Sequence, residues 1–184
     1  MAVVREYLET CWQLLNPRPF LALSILGGAK NFQMDGRNKE KFKAGLVAAA
    51  RVTNAWVITG GTNTGAMKLV GEAVNEGQFV ITEGEKIRRG LKAIGIVPWG
   101  YVLDKEKLVN PYPYDFHTAR YHASSTKQPK QPSPLNPHHT HFLLVDDGRR
   151  NRYGDAGPRN FRAAFERSVQ VWQEKNCVLH EDRH

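Results

Sequence analysis

The sequence feature that most constrains the fold is residues 55–71, which read AWVITGGTNTGAMKLVG. The first five residues are apolar or β-branched, a pattern typical of a buried parallel strand. Gly60 and Gly61 end this run, and a helix with an apolar face that includes Met67 and Val70 follows it. A strand, a glycine turn and a helix start leave backbone N–H groups beside the positive end of the helix dipole. The stretch predicts a phosphate or small-anion site, although two glycines can also simply turn a corner.

Three further apolar runs end at special residues in the same way. They are residues 20–26 (FLALSIL), 92–98 (KAIGIVP) and 141–145 (HFLLV). The residues at or after the four strand ends are Gly27 and Gly28, Gly60 and Gly61, Pro98, Trp99 and Gly100, and Asp146 and Asp147. Four buried strands separated by helical patterns predict an α/β fold with a parallel sheet covered on both faces. Right-handed crossovers bring the carboxyl ends of such strands to one edge, where ligands bind.

The remaining sequence gives weaker signals. Helical patterns are expected over residues 3–15 and 37–53, after the central glycines, and from Pro158 or Arg159 onward. A loop is expected over residues 75–85, and a short strand near 101–103. Residues 104–139 hold six of the ten prolines and predict a long loop insertion. The tail from 176 to 184 is expected to fray.

Composition limits the classes of function. The 184 residues suit one domain, and no apolar run approaches the length of a membrane span. Charged residues in the first fifteen positions are unlike a secretory signal, and two distant cysteines suit a reducing cytosol. A cytoplasmic location is therefore expected. The net charge of +8 permits either a nucleic-acid surface or an acidic small ligand.

A histidine cluster, His138, His139 and His141, invites a metal-site interpretation. No Cys, Asp or Glu lies beside it at ligand spacing, and three imidazoles on an extended chain cannot all face one way. A surface loop that enters a strand is the favoured interpretation, and no metal site is expected.

Four segments together resemble a known family: SILGGAKNF, WVITGGTNTGAMKLVGEAV, IGIVPWG and HTHFLLVDDG followed by YG. They are similar to the N-terminal cytosolic homology region of melastatin-type TRP channels, over about residues 16–169. The resemblance implies a Rossmann-like open parallel sheet of the SLOG superfamily, which also contains lysine-decarboxylase-like phosphoribohydrolases. It implies a ligand-sensing module, and in the channel branch gated by nucleotides the ligand is ADP-ribose.

The resemblance also implies the contacts of that ligand. The tyrosine of the YG pair, here Tyr153, would stack on the adenine, and an arginine beyond it would hold phosphate. The arginine position falls on Asn160 here, flanked by Arg159 and Arg162, so either neighbour could replace it. The full set of predicted ligand-binding residues is Gly27, Gly28, Ala29, Lys30, Asn31, Gly60, Gly61, Thr62, Asn63, Thr64, Gly65, Trp99, Gly100, Asp146, Tyr153, Arg159 and Arg162.

Catalysis is not expected. The PGGxGTxxE motif of the phosphoribohydrolases has no match here, and Glu72 is the only nearby acid on a predicted helix. Three functions remain open: a non-catalytic nucleotide sensor, a phosphoribohydrolase-type enzyme that uses Glu72, and a basic nucleic-acid-binding domain. The first is favoured. Its expected partners are a nucleotide, the remainder of a channel subunit and neighbouring subunits, without nucleic acid, a resident cofactor or direct membrane insertion of this segment.

Overall fold

A computed structural model describes residues 1–14, 19–28, 32–82, 85–88, 90–111, 118–122, 132–150 and 156–181. The helices are α1 (Ala2–Thr10), α2 (Gly36–Val52), α3 (Gly65–Glu76) and α4 (Ala156–Glu181), with short 3-10 helices at Trp99–Tyr101 and Lys105–Leu108. The strands are β1 (Ala22–Ser24), β2 (Trp56–Thr59), β3 (Phe79–Thr82), β4 (Glu85–Arg88), β5 (Lys92–Pro98) and β6 (His141–Val145).

The main sheet has the order β1-β2-β5-β6, and all three of its strand pairs are parallel. Strands β3 and β4 form a separate antiparallel hairpin. The predicted α/β fold with an open parallel sheet is therefore confirmed. Strands β2 and β5 are the central pair, and their residues are almost all buried, which explains their continuous apolar sequences.

Alternate residues of the central strands serve two cores. Trp56 and Ile58 of β2 pack with α1 and α4 on one face, where Phe165 of α4 is fully buried. Val57 of β2 packs with α2 and α3 on the other face, together with Val70 of α3. Since side chains of a strand point alternately to opposite faces, one short strand can anchor helices on both sides. Helices on both faces thus hold the strand ends in fixed positions.

The ends of the helices differ from the sequence predictions. Helix α1 ends at Thr10 and does not continue to residue 15. Gln13 has a left-handed φ of 51°, and the N–H of Leu14 donates to the carbonyl of Leu8 at 2.9 Å, which turns the chain back onto the core. Helix α4 already begins at Ala156 and runs to Glu181, so it covers most of the tail expected to fray.

Three predictions of local structure were wrong. The run 20–26, expected to be a buried strand, is a strand only at Ala22–Ser24, and Phe20 and Leu26 are exposed. The segment 75–85, expected to be a loop, contains β3 and the first residue of β4. The run FVIT is rich in β-branched and aromatic residues and pairs locally with β4, which needs no wider pattern. The strand expected near 101–103 is instead the end of a 3-10 helix, followed by an isolated bridge between Val102 and Ser133.

Candidate functional site

A cavity of about 170 Å³ lies at the carboxyl edge of the main sheet. Four predicted ligand residues line it, namely Gly27, Gly60, Arg159 and Arg162. Its apolar wall includes Met67, Ile96 and Pro98. Parallel strands and the starts of α3 and α4 therefore meet where an open α/β sheet binds ligands. The volume is below the roughly 300–1,000 Å³ of drug-sized pockets, so it suits a small group or one part of a larger ligand.

Arg162 joins helix α4 to the ends of two strands. Its Nη2 donates to the carbonyls of Ile25 at 3.2 Å and Ile58 at 3.0 Å, and to Ser24 Oγ at 2.8 Å. Its Nε donates to Glu166 Oε1 at 2.8 Å, and Ser24 Oγ donates to the same carboxylate oxygen at 2.6 Å. The guanidinium is thus anchored to the sheet through Nη2, while its Nε is paired with Glu166 of the same helix. It fixes the wall of the cavity as well as adding charge to it.

Arg159 lies one helical turn before Arg162 on the same helix. Its side chain is exposed and lines the cavity. Asn160, on which the arginine position of the resemblance falls, is also exposed but does not line the cavity. An arginine side chain carries a positive charge and presents several N–H donors in a planar fork. Arg159 can therefore meet an anion that enters from solvent.

Gly61 gives the central loop its shape. Its φ is 68°, a left-handed conformation that glycine adopts without strain. An added Cβ would lie 2.8 Å from Gly95 Cα and 2.6 Å from Val97 Cγ2, so the loop packs directly onto β5. Its N–H donates to Thr59 Oγ1 at 2.8 Å. This glycine serves close packing, and its N–H is already committed within the protein.

Other N–H groups of the central loop are also committed. Asn63 donates to the carbonyl of Pro134 at 2.8 Å, and Ala66 donates to that of Gly28 at 3.4 Å. Within the described parts of the chain, the N–H groups of Thr64 and Gly65 have no hydrogen-bond acceptor. Thr64 is the N-cap of α3, but its hydroxyl lies 3.0 Å from Thr62 Oγ1 and not on a helix N–H. Fewer backbone N–H groups at this helix start are therefore available to bind an anion than the sequence suggests.

Pro98, the last residue of β5, lines the cavity, but the predicted ligand residues that follow β5 and β6 do not. Neither Trp99 nor Gly100 lines it, and a Cβ at Gly100 would collide with the carbonyl of Arg149. Asp146 Oδ1 accepts the N–H of Gly148 at 2.9 Å, so this carboxylate shapes a turn. The predicted residues Ala29, Lys30, Asn31 and Tyr153 lie outside the described residues. Gly28, Gly61, Thr62, Asn63, Thr64 and Gly65 adjoin the cavity in sequence without lining it.

The histidine cluster is not a surface loop throughout. His139 is only 6% exposed, and its Nε2 lies 2.6 Å from Thr59 Oγ1. Burial, with a smaller contribution from the charge of His138, lowers the pKa of His139 to about 4. His141 is half-buried, and its ring contacts Trp12 at a centroid distance of 4.7 Å. The described residues contain no group of three or more side chains that could hold a metal ion.

Sequence reasoning missed two buried polar residues beside the central loop, Asn136 and His139. Asn136 is 1% exposed and contacts the loop through both its main chain and its side chain. Neither residue repeats at helical or strand spacing, because both lie in a segment without regular structure. A polar residue between prolines, in a stretch assigned to a surface insertion, gave no local sign of burial.

None of the helices, over the residues described, is both long and apolar enough to cross a membrane.

Comparison with known proteins identifies the family. A family model described as SLOG in TRPM matches residues 1–181. The chain is 42% identical over 139 residues to a transient receptor potential cation channel subfamily M member-like 2 of Nematostella vectensis, covering 74% of this chain and 8% of that protein. It is 39% identical over 155 residues to subfamily M member 2 of Mus musculus, with 83% and 10% covered. Against subfamily M member 7 of Homo sapiens it is 36% identical over 152 residues, with 83% and 8% covered. The chain thus spans about a tenth of the length of these relatives, and it belongs to the SLOG family of TRPM channels.

Proposed function

We propose that this chain is a non-catalytic ligand-sensing domain that binds a nucleotide diphosphate, such as ADP-ribose, at the carboxyl edge of its sheet. The observation that carries the proposal is the meeting of Arg159 and Arg162 with Gly27 and Gly60 around one cavity. Arginine is suited to bind phosphate and carboxylate groups, so two arginines at the wall of one cavity favour an anionic ligand.

The charges support a pyrophosphate in particular. A helix N-terminus supplies only about half an elementary charge, whereas an arginine supplies a full charge and short charge-assisted hydrogen bonds. Arg159 is exposed at the start of α4 and is our choice for the direct phosphate contact. Arg162 lies at the same wall in an anchored position, where its charge is paired with that of Glu166. The apolar wall formed by Met67, Ile96 and Pro98 suits the less polar part of the ligand.

The proposed contact with the base is Tyr153, whose ring would stack on adenine as the resemblance implies. Stacking requires an aromatic face and not a hydroxyl. Replacing Tyr153 with alanine is therefore expected to weaken binding, while Tyr153→Phe is expected to leave it nearly unchanged.

The proposed setting is a cation channel. The relatives are named as transient receptor potential cation channels of subfamily M, and they are about ten times longer than this chain. We infer that the domain works on the cytosolic side of the membrane as a regulatory module. Its partners are then the remainder of the channel subunit and neighbouring subunits, without a resident cofactor and without nucleic acid.

A phosphoribohydrolase-type enzyme is the second candidate. Its acid would have to be Glu72, which is half-buried on α3 and does not line the cavity. General acid catalysis requires a carboxyl group within hydrogen-bond reach of the leaving group, directly or through one water. The geometry therefore favours binding without turnover. A basic nucleic-acid-binding domain remains a third candidate on net charge alone.

Calorimetric titration with ADP-ribose, AMP and NAD tests the proposal. At a hundred times its dissociation constant, a ligand of the folded state adds about 2.7 kcal/mol of stability. For a domain of this size that corresponds to a rise of about 5–10 °C in melting temperature. No heat of binding and an unchanged melt at millimolar ADP-ribose would contradict the sensor function. Release of adenine or ribose 5-phosphate that disappears in Glu72→Gln would instead favour the enzyme.

A further inference from the structure

The segment that returns from the proline-rich insertion, residues 132–140, lies against the glycine loop, residues 60–64. We refer to these as the return segment and the glycine loop. Two main-chain hydrogen bonds join them: Asn63 N–H donates to Pro134 O at 2.8 Å, and Asn136 N–H donates to Gly61 O at 2.9 Å. They flank an antiparallel bridge between Thr62 and Leu135. The glycine loop is therefore paired along its length with a segment more than 70 residues away.

The side chain of Asn136 adds a second set of contacts. Its Nδ2 donates to Asn63 Oδ1 and to the carbonyl of Met67, both at 3.3 Å. Its Oδ1 accepts the N–H of His138 at 2.9 Å. The residue is 1% exposed, so these groups have replaced water as its partners. The amide thus connects the return segment, the glycine loop and the first turn of α3.

Helix α3 leaves room for this amide at Gly71. A Cβ at that position would collide with the Oδ1, Nδ2 and Cγ atoms of Asn136. Glycine weakens a helix relative to alanine, so its presence inside α3 has a local cost. The contact with Asn136 explains why glycine occupies this position despite that cost.

His139 forms a second connection, at the other end of the glycine loop. Its Nε2 shares a hydrogen bond of 2.6 Å with Thr59 Oγ1, and that hydroxyl accepts the N–H of Gly61 at 2.8 Å. His139 also stacks on Phe142 of β6, with ring centroids 5.9 Å apart. The position of the Gly61 peptide is therefore coupled to the return segment through a buried side-chain pair.

We propose that Asn136 and His139 are positioning residues that hold the glycine loop in the conformation that completes the ligand crevice. The inference rests on the proposed function, because ligand affinity is its main consequence. Neither residue lines the cavity, so each acts through its neighbours. Asn136 acts through Asn63 of the loop and Met67 of α3, and His139 acts through Thr59, which accepts the N–H of Gly61. The proline-rich insertion, through its return segment, is then part of the binding site's support. A change in the insertion would alter ligand affinity without touching the ligand.

The test compares Asn136→Ala, Gly71→Ala and the double variant, with Asn75→Ala as the control. Asn75 is exposed on α3, so its replacement changes the same residue type away from the loop. We expect Asn136→Ala and Gly71→Ala each to weaken ADP-ribose binding about tenfold, which corresponds to about 1.4 kcal/mol. The double variant is expected to be no weaker than Asn136→Ala, because removal of the amide makes room for the alanine methyl group. Such non-additivity is the mark of two residues that act at one contact.

The second readout is the amide signals of Gly61 and Asn63 in ¹H–¹⁵N spectra of the ligand-free protein. These signals should shift, and their hydrogen-exchange protection should fall, in Asn136→Ala and Gly71→Ala but not in Asn75→Ala. If Asn136→Ala does not fold, Thr59→Val replaces it, since this variant keeps the shape of the side chain and removes the hydroxyl that joins His139 to Gly61. It should release the Gly61 amide in the same way.

The outcomes separate this inference from the proposed function. If the unchanged chain does not bind ADP-ribose, the proposed function fails, while the amide signals still decide whether the return segment positions the loop. Unchanged Gly61 and Asn63 signals in the folded variants would overturn the positioning role. Losses of affinity that add in the double variant would overturn the shared contact between Asn136 and Gly71.

Discussion

The buried histidine predicts a loss of stability in mild acid. His139 has its pKa lowered to about 4, chiefly by burial, whereas the histidine of an unfolded chain has a pKa of about 6.5. In the described structure its Nδ1 has no hydrogen-bond partner, so a proton placed there would be buried without an acceptor. The unfolded chain therefore binds this proton more tightly. The stabilising contribution is complete above about pH 6.5 and is lost as the pH falls towards 4.

The size of the effect follows from the two pKa values. Each unit of difference corresponds to about 1.4 kcal/mol, so the full loss is about 3 kcal/mol. At pH 5 the histidine of the unfolded chain is almost fully protonated, whereas that of the folded chain is mostly neutral. The loss of stability between pH 7 and pH 5 is therefore about 2 kcal/mol. That is a large part of the roughly 5–15 kcal/mol that stabilises a typical domain.

The assay is urea unfolding at pH 7 and pH 5 for the unchanged chain, His139→Gln and His138→Gln. Glutamine at position 139 can still donate to Thr59 Oγ1 but does not titrate. All other titratable groups contribute equally to the pH dependence of the unchanged chain and of His139→Gln. His139→Gln should therefore lose about 2 kcal/mol less than the unchanged chain between the two pH values.

The control is His138, which is half-buried and adjacent in sequence. His138→Gln should keep nearly the full pH dependence, because it removes only the smaller cause of the shift. The same acid destabilisation in His139→Gln as in the unchanged chain would refute the reasoning. So would loss of the pH dependence in His138→Gln.

Three further predictions concern an arginine anchor, a glycine of the central loop and zinc. Arg162→Ala should lower the free energy of unfolding by about 3 kcal/mol, because it removes charge-assisted hydrogen bonds to two strand ends. Arg167 is exposed, so Arg167→Ala should change this free energy by less than about 0.5 kcal/mol. Equal urea midpoints of the two variants would contradict this. Gly61→Ala should lower the free energy of unfolding by at least about 2 kcal/mol, because of backbone strain and close contacts with β5. A Cβ at Gly45 meets nothing within 4 Å, so Gly45→Ala should be neutral or stabilising. Unchanged stability of Gly61→Ala would contradict the loop geometry. Zinc should neither copurify nor raise the melting temperature, and a stoichiometric metal signal after dialysis would contradict this.

The sequence predicts the sheet well because its central strands are buried on both faces. The predicted strand 92–98 begins and ends at the same residues as β5. The helix expected over 37–53 differs from α2 by one residue at each end. Continuous apolar runs closed by glycine or proline carry this information locally. Helices on both faces of the sheet then follow from general rules of α/β folds, whereas the strand order was not predicted.

The site is less predictable, because its decisive contacts join residues far apart in sequence. The sequence predicts that Arg159 or Arg162 holds phosphate. It does not reveal that Arg162 also anchors two strands through bonds to Ile25 and Ile58, more than 100 residues away. His139 reaches Thr59 across 80 residues. No local spacing marks either contact. The hairpin β3–β4 was missed for a different reason: a short strand pair outside the main sheet has no long apolar pattern.

Titration of ADP-ribose into the unchanged chain, Arg159→Ala and Arg167→Ala tests the central claim most directly. Both arginines are exposed on α4, but only Arg159 lines the cavity, so the two variants lose the same charge at different places. A hydrogen bond to a charged group contributes about 1.5–3 kcal/mol, so Arg159→Ala should weaken binding about ten- to a hundredfold. Arg167→Ala should bind within about twofold of the unchanged chain. Equal affinity of all three proteins, or no binding by the unchanged chain, would contradict a nucleotide site at this edge of the sheet.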